Sequence, residues 1–146
     1  MPSLLTYRGV EQNYSTVLPF AEECQKHNIQ FAVNDPWQNP LPFEEVMRRI
    51  QESVLAPDIR GPEHLRTRVV TCRVFKNISY GHLGLTNSEE IYNEMDGNCI
   101  YNEDTRQLFY DGLENIDNFD MIRSGMQYVK ENHTYINRVQ SLLEVL

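Results

Sequence analysis

The chain has 146 residues, of which 40% are hydrophobic, 23% charged and 10% aromatic, the size and make-up of one soluble globular domain with a real core. Its formal net charge of −8 argues against nucleic acid as a partner, whose phosphates need a basic surface, but a local cluster of Arg, Lys and backbone N–H groups still suits a small anion. No run approaches the roughly eighteen apolar residues of a membrane span, and the start "MPSLLTYRG" lacks the basic region and long apolar run of a signal peptide, so a cytoplasmic location is expected.

In chain order, "SLLTY" (3–7) is a short apolar run ended by Arg8 and Gly9, the pattern of a buried strand and turn. Ser15 is placed to cap a helix whose Val17, Phe20, Ala21 and Cys24 share one face. "IQFAV" (29–33) reads as the next strand. "NDPWQNPLP" is too rich in proline to be regular, with Trp37 as a loop anchor, and it delivers Pro42 to the start of a helix carrying Phe43, Val46, Met47 and Ile50 on one stripe.

"SVLAPDI" (53–59) reads as a third strand, with its core at 53–57, running into Arg60 and Gly61; the stretch 62–72 has no clear pattern. Arg73 to Ser79 fits a short amphipathic helix stopped at Gly81, followed by an apolar strand at 83–86. Asn87 or Ser88 then caps a helix. "NCIYN" contains a strand at 99–101, and helices follow at 104–114, along Phe119, Ile122, Met126 and Val129, and along Tyr135, Ile136, Val139, Leu142, Leu143 and Leu146. There is no repeat, low-complexity tract or interior linker.

Strands alternating with helices predict an α/β domain over 1–146: a Rossmann-like, doubly wound, mostly parallel sheet with helices on both faces and two packed helices at the C-terminus. Cys24, Cys72 and Cys99 are odd in number and lack metal-ligand spacing, and are read as buried reduced thiols. No motif for metal, glycosidase or GxSxG chemistry is present. His133 is assigned to packing of the last helix. His64 falls in the unpatterned stretch, and His82 either contacts a ligand or covers the end of the sheet.

The series "CRVFKNISYGHLGLTNS", "YNEDTRQLFYDG" and "VKENHTYINRVQSLLEVL" resembles the C-terminal, donor-binding half of bacterial glycosyltransferases of the GT-B fold. "PWQNPLPFEE" and "QESVLAPDIRGPEHL" add to the likeness, which runs from about Leu5 to Leu146. The resemblance implies a domain that binds a nucleoside diphosphate sugar as donor substrate, with no other cofactor and no metal. It places Arg73 and Lys76 on the pyrophosphate, with Asn77 and His82 nearby, and lets the Ser79, Tyr80, Gly81 turn bring backbone N–H groups to phosphate oxygens. Arg8 and Gly9 after the first strand, and Arg60 after the third, complete the expected contacts.

On spacing alone an exposed basic face is the better reading of Arg73 and Lys76, which the resemblance reverses for the cluster as a whole, and Gly81 also suits an ordinary helix stop. Two departures stand out. Many retaining members have glutamate where this chain has Lys76, and the family has two such domains with the active site between them, where 146 residues hold one. The expected partners are therefore a nucleotide sugar and either an acceptor-binding N-terminal domain or further copies of the chain. The alternative is a non-catalytic binding or interaction module that keeps the fold.

Overall fold

A computed structural model describes residues 10–33 and 39–146, the side chains of 10–13 excepted. Among these residues lie eight helices: α1 (Val10–Lys26), α2 (Phe43–Glu52), α3 (Pro62–Arg66), α4 (Arg73–Ser79), α5 (Glu89–Glu94), α6 (Thr105–Glu114), α7 (Phe119–Asn132) and α8 (Tyr135–Glu144). Two strands of two residues each, β1 (Leu85–Thr86) and β2 (Ile100–Tyr101), pair in parallel, with Leu85 opposite Ile100 and Thr86 opposite Tyr101. On the other edge of β1, Asp58 forms a single parallel bridge to Thr86. No described helix is long and apolar enough to cross a membrane.

The expectation of a Rossmann-like, doubly wound, mostly parallel sheet is therefore corrected: the fold is mostly helical around one short parallel pair. A strand needs backbone partners along its length, not only an apolar run. In 29–33, Ile29 and Phe31 do pack on the core, but the backbone turns back on α1 through the Ile29 N–H to Cys24 carbonyl bond of 2.8 Å and no ladder forms. In 53–57, Ser53 bonds back to Ile50 through both its amide and its hydroxyl, so the ladder begins only where the Asp58 N–H reaches the Leu85 carbonyl at 2.8 Å. The expected strand at 3–7, with Arg8, Gly9 and Trp37, lies outside the described residues. Helix α1 starts upstream of Ser15, which is an interior residue and not a cap.

β1 is buried on both faces. Leu83 and Leu85 join Phe20, Cys24, Ile59, Leu108 and Phe109 in the core that α1 and α6 close. The opposite face meets Val74, Phe75 and Ile78 of α4, Ile91 of α5, Val129 of α7, and Met95 and Cys99 from the link between α5 and β2. Gly84 permits this second contact, because a Cβ there would lie 2.7 Å from Cδ1 of Ile78 and 2.8 Å from Cβ of Cys99.

α1 is held on α6 by charge as well as by packing. Buried Glu23 accepts from Lys26 at 2.7 Å, from the Tyr110 hydroxyl at 2.5 Å and from Arg106, whose other nitrogen reaches Glu22 at 2.7 Å. Lys26 first, then Tyr110 and Arg106, hold the Glu23 carboxyl at about 2, below its ordinary 4.5.

Replacing Gly84 by Ala should destabilise the fold by about 1–3 kcal/mol, the usual cost of overpacking, since Cβ of Cys99 is fixed to the backbone and cannot swing aside; urea unfolding measures it. Because the folded pKa of Glu23 is depressed, its contribution is present above pH 4.5 and is lost as pH falls towards 2. Stability of Glu23→Gln should accordingly vary less than wild type across that window. The comparison is best made in salt that screens the exposed pairs of Glu45 with Arg48 and Arg49.

Candidate functional site

Where the parallel segments end, "PDIRG" and "LTNS" lie side by side. Asn87 continues the sheet with its side chain in place of a backbone: its Oδ1 accepts from the Arg60 N–H at 2.6 Å and its Nδ2 donates to the Arg60 carbonyl at 3.0 Å. The Thr86 hydroxyl donates to the Asp58 carbonyl at 3.2 Å and accepts from the Ser88 N–H at 3.1 Å. Ser88, the second of the two expected candidates, caps α5 by accepting from the Ile91 N–H. These bonds fix the exit direction of both segments.

Within this frame Asp58 is buried and Arg60 nearly so. Oδ2 of Asp58 accepts from Nε of Arg60 at 2.9 Å and from its Nη2 at 2.6 Å. The same Nη2 donates to the Thr71 hydroxyl. Oδ1 of Asp58 accepts no hydrogen bond among the described residues and lies 3.6 Å from Nη1 of Arg73. Arg73 opens α4, and its side chain is 53% exposed. Burial pushes the Asp58 carboxyl above its ordinary value, while the charges of Arg60 and Arg73 pull it back. The result is a buried carboxylate with one closed arginine behind it and one open arginine in front.

The expected site residues divide between two places. Arg60 and Arg73 meet at Asp58, and Lys76 lies one turn further along α4, three residues on and so on a neighbouring face. Arg60, however, turns its guanidinium inward instead of out to a ligand. Asn77 is buried and donates to the Ala56 carbonyl at 2.9 Å. Ser79, Tyr80, Gly81 and His82 stand at the other end of the helix, about 10 Å away at 1.5 Å per residue.

That turn is built for packing. The Ser79 hydroxyl donates to the Phe75 carbonyl at 2.7 Å, and Tyr80 packs edge-on against Phe43 of α2. Gly81 adopts φ +90 and closes the helix end through its N–H to the Ile78 carbonyl. Nε2 of His82 lies 2.8 Å from the Ser53 carbonyl and 3.3 Å from the Ser53 hydroxyl, and Nδ1 has no partner among the described residues. Without an acid on Nδ1 this pair is not a nucleophile and its base.

Sequence reading missed Asp58 and Thr71 and took Asn87 for a cap. The signal that was there is the matched position of "PDIRG" and "LTNS", each a polar exit from an apolar segment. Of the cysteines, Cys24 and Cys99 are buried, with thiols that burial pushes to about 11 and about 12, whereas Cys72 is exposed and corrects the expectation for that residue. His133 stacks on Phe75 at 4.4 Å and bonds the Glu94 carbonyl at 2.9 Å, packing against α4 and the end of α5. No described residues form a metal-binding group of three or more His, Cys, Asp or Glu. Comparison with protein-family models, with curated proteins and with solved structures finds no match to this chain.

Removing one partner of a buried ion pair strands the other, so Asp58→Ala should cost about 3–5 kcal/mol of stability. Asn87→Ala, which leaves a buried N–H and carbonyl unpaired, should cost about 1–3 kcal/mol. Chemical denaturation with Arg73→Ala as the exposed control checks both, and equal small losses in all three variants would contradict this account.

Proposed function

We propose that the chain is the donor-binding part of a glycosyltransferase and that it holds a nucleoside diphosphate sugar through Arg73 and Lys76. The observation that carries the reading is the half-exposed Arg73 guanidinium, oriented by a buried carboxylate at 3.6 Å where the parallel segments end. The resemblance of "CRVFKNISYGHLGLTNS" and the segments after it to glycosyltransferase donor halves supplies the ligand class. Arginine suits a diphosphate because its planar fork makes charge-assisted, often paired hydrogen bonds to phosphate oxygens. In sugar transfer the same contacts neutralise the departing diphosphate, while the acceptor is assigned to a partner domain outside these 146 residues.

The fold correction changes how that site is drawn. The backbone turn at Gly81 belongs to the other end of α4, so diphosphate recognition rests on side chains, with Asn87 and Arg60 as the frame. The free cysteines fit a cytoplasmic protein, and the −8 charge argues against nucleic acid while leaving a small anion to the local pair of Arg73 and Lys76. The rival reading, a non-catalytic interaction module, is favoured by one observation, the uncovered apolar face of α8.

Calorimetric titration with uridine, guanosine, adenosine and thymidine diphosphates and their sugars tests the reading. At least one should bind saturably. Arg73→Ala should weaken it ten-fold or more, in line with about 1.5–3 kcal/mol for a charged hydrogen bond, and Arg66→Ala, paired with Glu63 on the surface, should not. Absence of binding across the panel, or unchanged binding by Arg73→Ala, would defeat the proposal.

A further inference from the structure

Helix α8 has no buried residue. It is fastened at its start, where Thr134 and Asn137 form a capping box, Asn137 donates to the Glu131 carbonyl at 2.8 Å and Arg138 lies over the Phe75 ring at 5.7 Å. Along α8 and just past its end, Tyr135, Ile136, Val139, Leu142, Leu143 and Leu146 are between 56% and 93% exposed.

The positions are not scattered. Tyr135, Val139, Leu142 and Leu146 step by four, three and four residues, the spacing of a seam that packs against another helix, and Ile136 and Leu143 widen the same stripe. A large apolar side chain removes roughly 60–120 Å² from water when buried, so the six present on the order of 600 Å² per copy. Two copies together then clear the about 1,000 Å² expected of a biological interface.

We infer that α8 pairs antiparallel with α8 of a second copy. The seam carries no charge, so it desolvates without stranding an ion. Antiparallel pairing sets Val139 against Leu142 and Tyr135 against Leu146, and brings Ile136 to Leu143, so each copy covers the whole stripe of the other. It also leaves the two bodies, each of net charge −8, at opposite ends of the helix pair, whereas parallel pairing would press them together. A lipid surface is a poor occupant: α8 has one basic residue, Arg138, already engaged over Phe75, and a helix lying on a membrane needs a basic polar face.

Sedimentation of the full chain tests the pairing, and its outcome does not depend on whether nucleotides bind. A dimer is expected at about 100 µM, with weak association in keeping with a small interface. Val139→Asp with Leu142→Asp should raise the dissociation constant at least ten-fold and, at dilutions where wild type is monomeric, leave the melting temperature unchanged, since both residues are exposed. In a Cys72→Ser background, which removes the exposed native thiol, Val139→Cys should form a disulfide with a Leu142→Cys chain and not with itself. A monomeric wild type, or a dimer that survives the double substitution, overturns the inference and gives the face to an acceptor-binding domain or to another segment of this chain. A Val139→Cys self-disulfide overturns the antiparallel arrangement.

Discussion

Everything described here hangs on two residues that are hydrogen-bonded on both edges and packed on both faces. Leu85 and Thr86 take a backbone partner from Asp58 on one side and from the β2 segment on the other, where the Ile100 N–H reaches the Gly84 carbonyl at 2.8 Å and the Asn102 N–H the Thr86 carbonyl at 3.2 Å. So short a strand is marginal by itself. It persists because helices on both sides exclude water from it, and because Gly84 lets Ile78 and Cys99 come within contact of its backbone. The two core clusters meet across β1 and its neighbour β2, where Ile100 packs on the first cluster and adjacent Cys99 belongs to the second.

How much of this was legible follows from what each signal measures. The later helices were legible because their apolar residues recur at helical spacing, which reports a face and needs no knowledge of the partner. β1 and β2 fell inside runs that were expected to be extended. The sheet as a whole was not legible, since an apolar run says that side chains are buried and nothing about what its N–H and carbonyl groups bond. "IQFAV" buries Ile29 and Phe31 from a coil, and "SVLAP" defers pairing to Asp58. Counting both as strands turned a helical fold with a two-stranded core into a full parallel sheet.

The division of the expected site residues between two places has a related reason. Residues 79–82 lead into β1, so they lie where the strand begins, while ligands of parallel sheets gather where strands end. Direction along the chain already implied this, and the Gly81 turn drew attention because it suits both a phosphate and a helix stop. Arg60 follows the segment as read, and its guanidinium turns inward to Asp58. Sequence shows that an arginine follows the segment; it does not show that Asp58, two residues earlier, curls it back into the core.

Two buried carboxylates make the final contrast. Glu23 is surrounded: Lys26, Arg106 and Tyr110 all donate to it, and its strongly lowered pKa follows from that closure. Its work is finished once α1 sits on α6. Asp58 is enclosed as deeply, yet one of its oxygens accepts no hydrogen bond among the described residues and faces Arg73 at a distance longer than a hydrogen bond, and burial raises its pKa. A guanidinium held this loosely is oriented but not consumed. Arg60 has already lost its water to Asp58 and Thr71, so turning it outward would break bonds in the core. Arg73 keeps solvated donors, and its approach to Asp58 restricts its side chain in advance, which would lower the entropy lost in the binding proposed above. The difference between the two arginines, and not the number of positive charges, is what makes Arg73 the one left open for the anion of the proposed function.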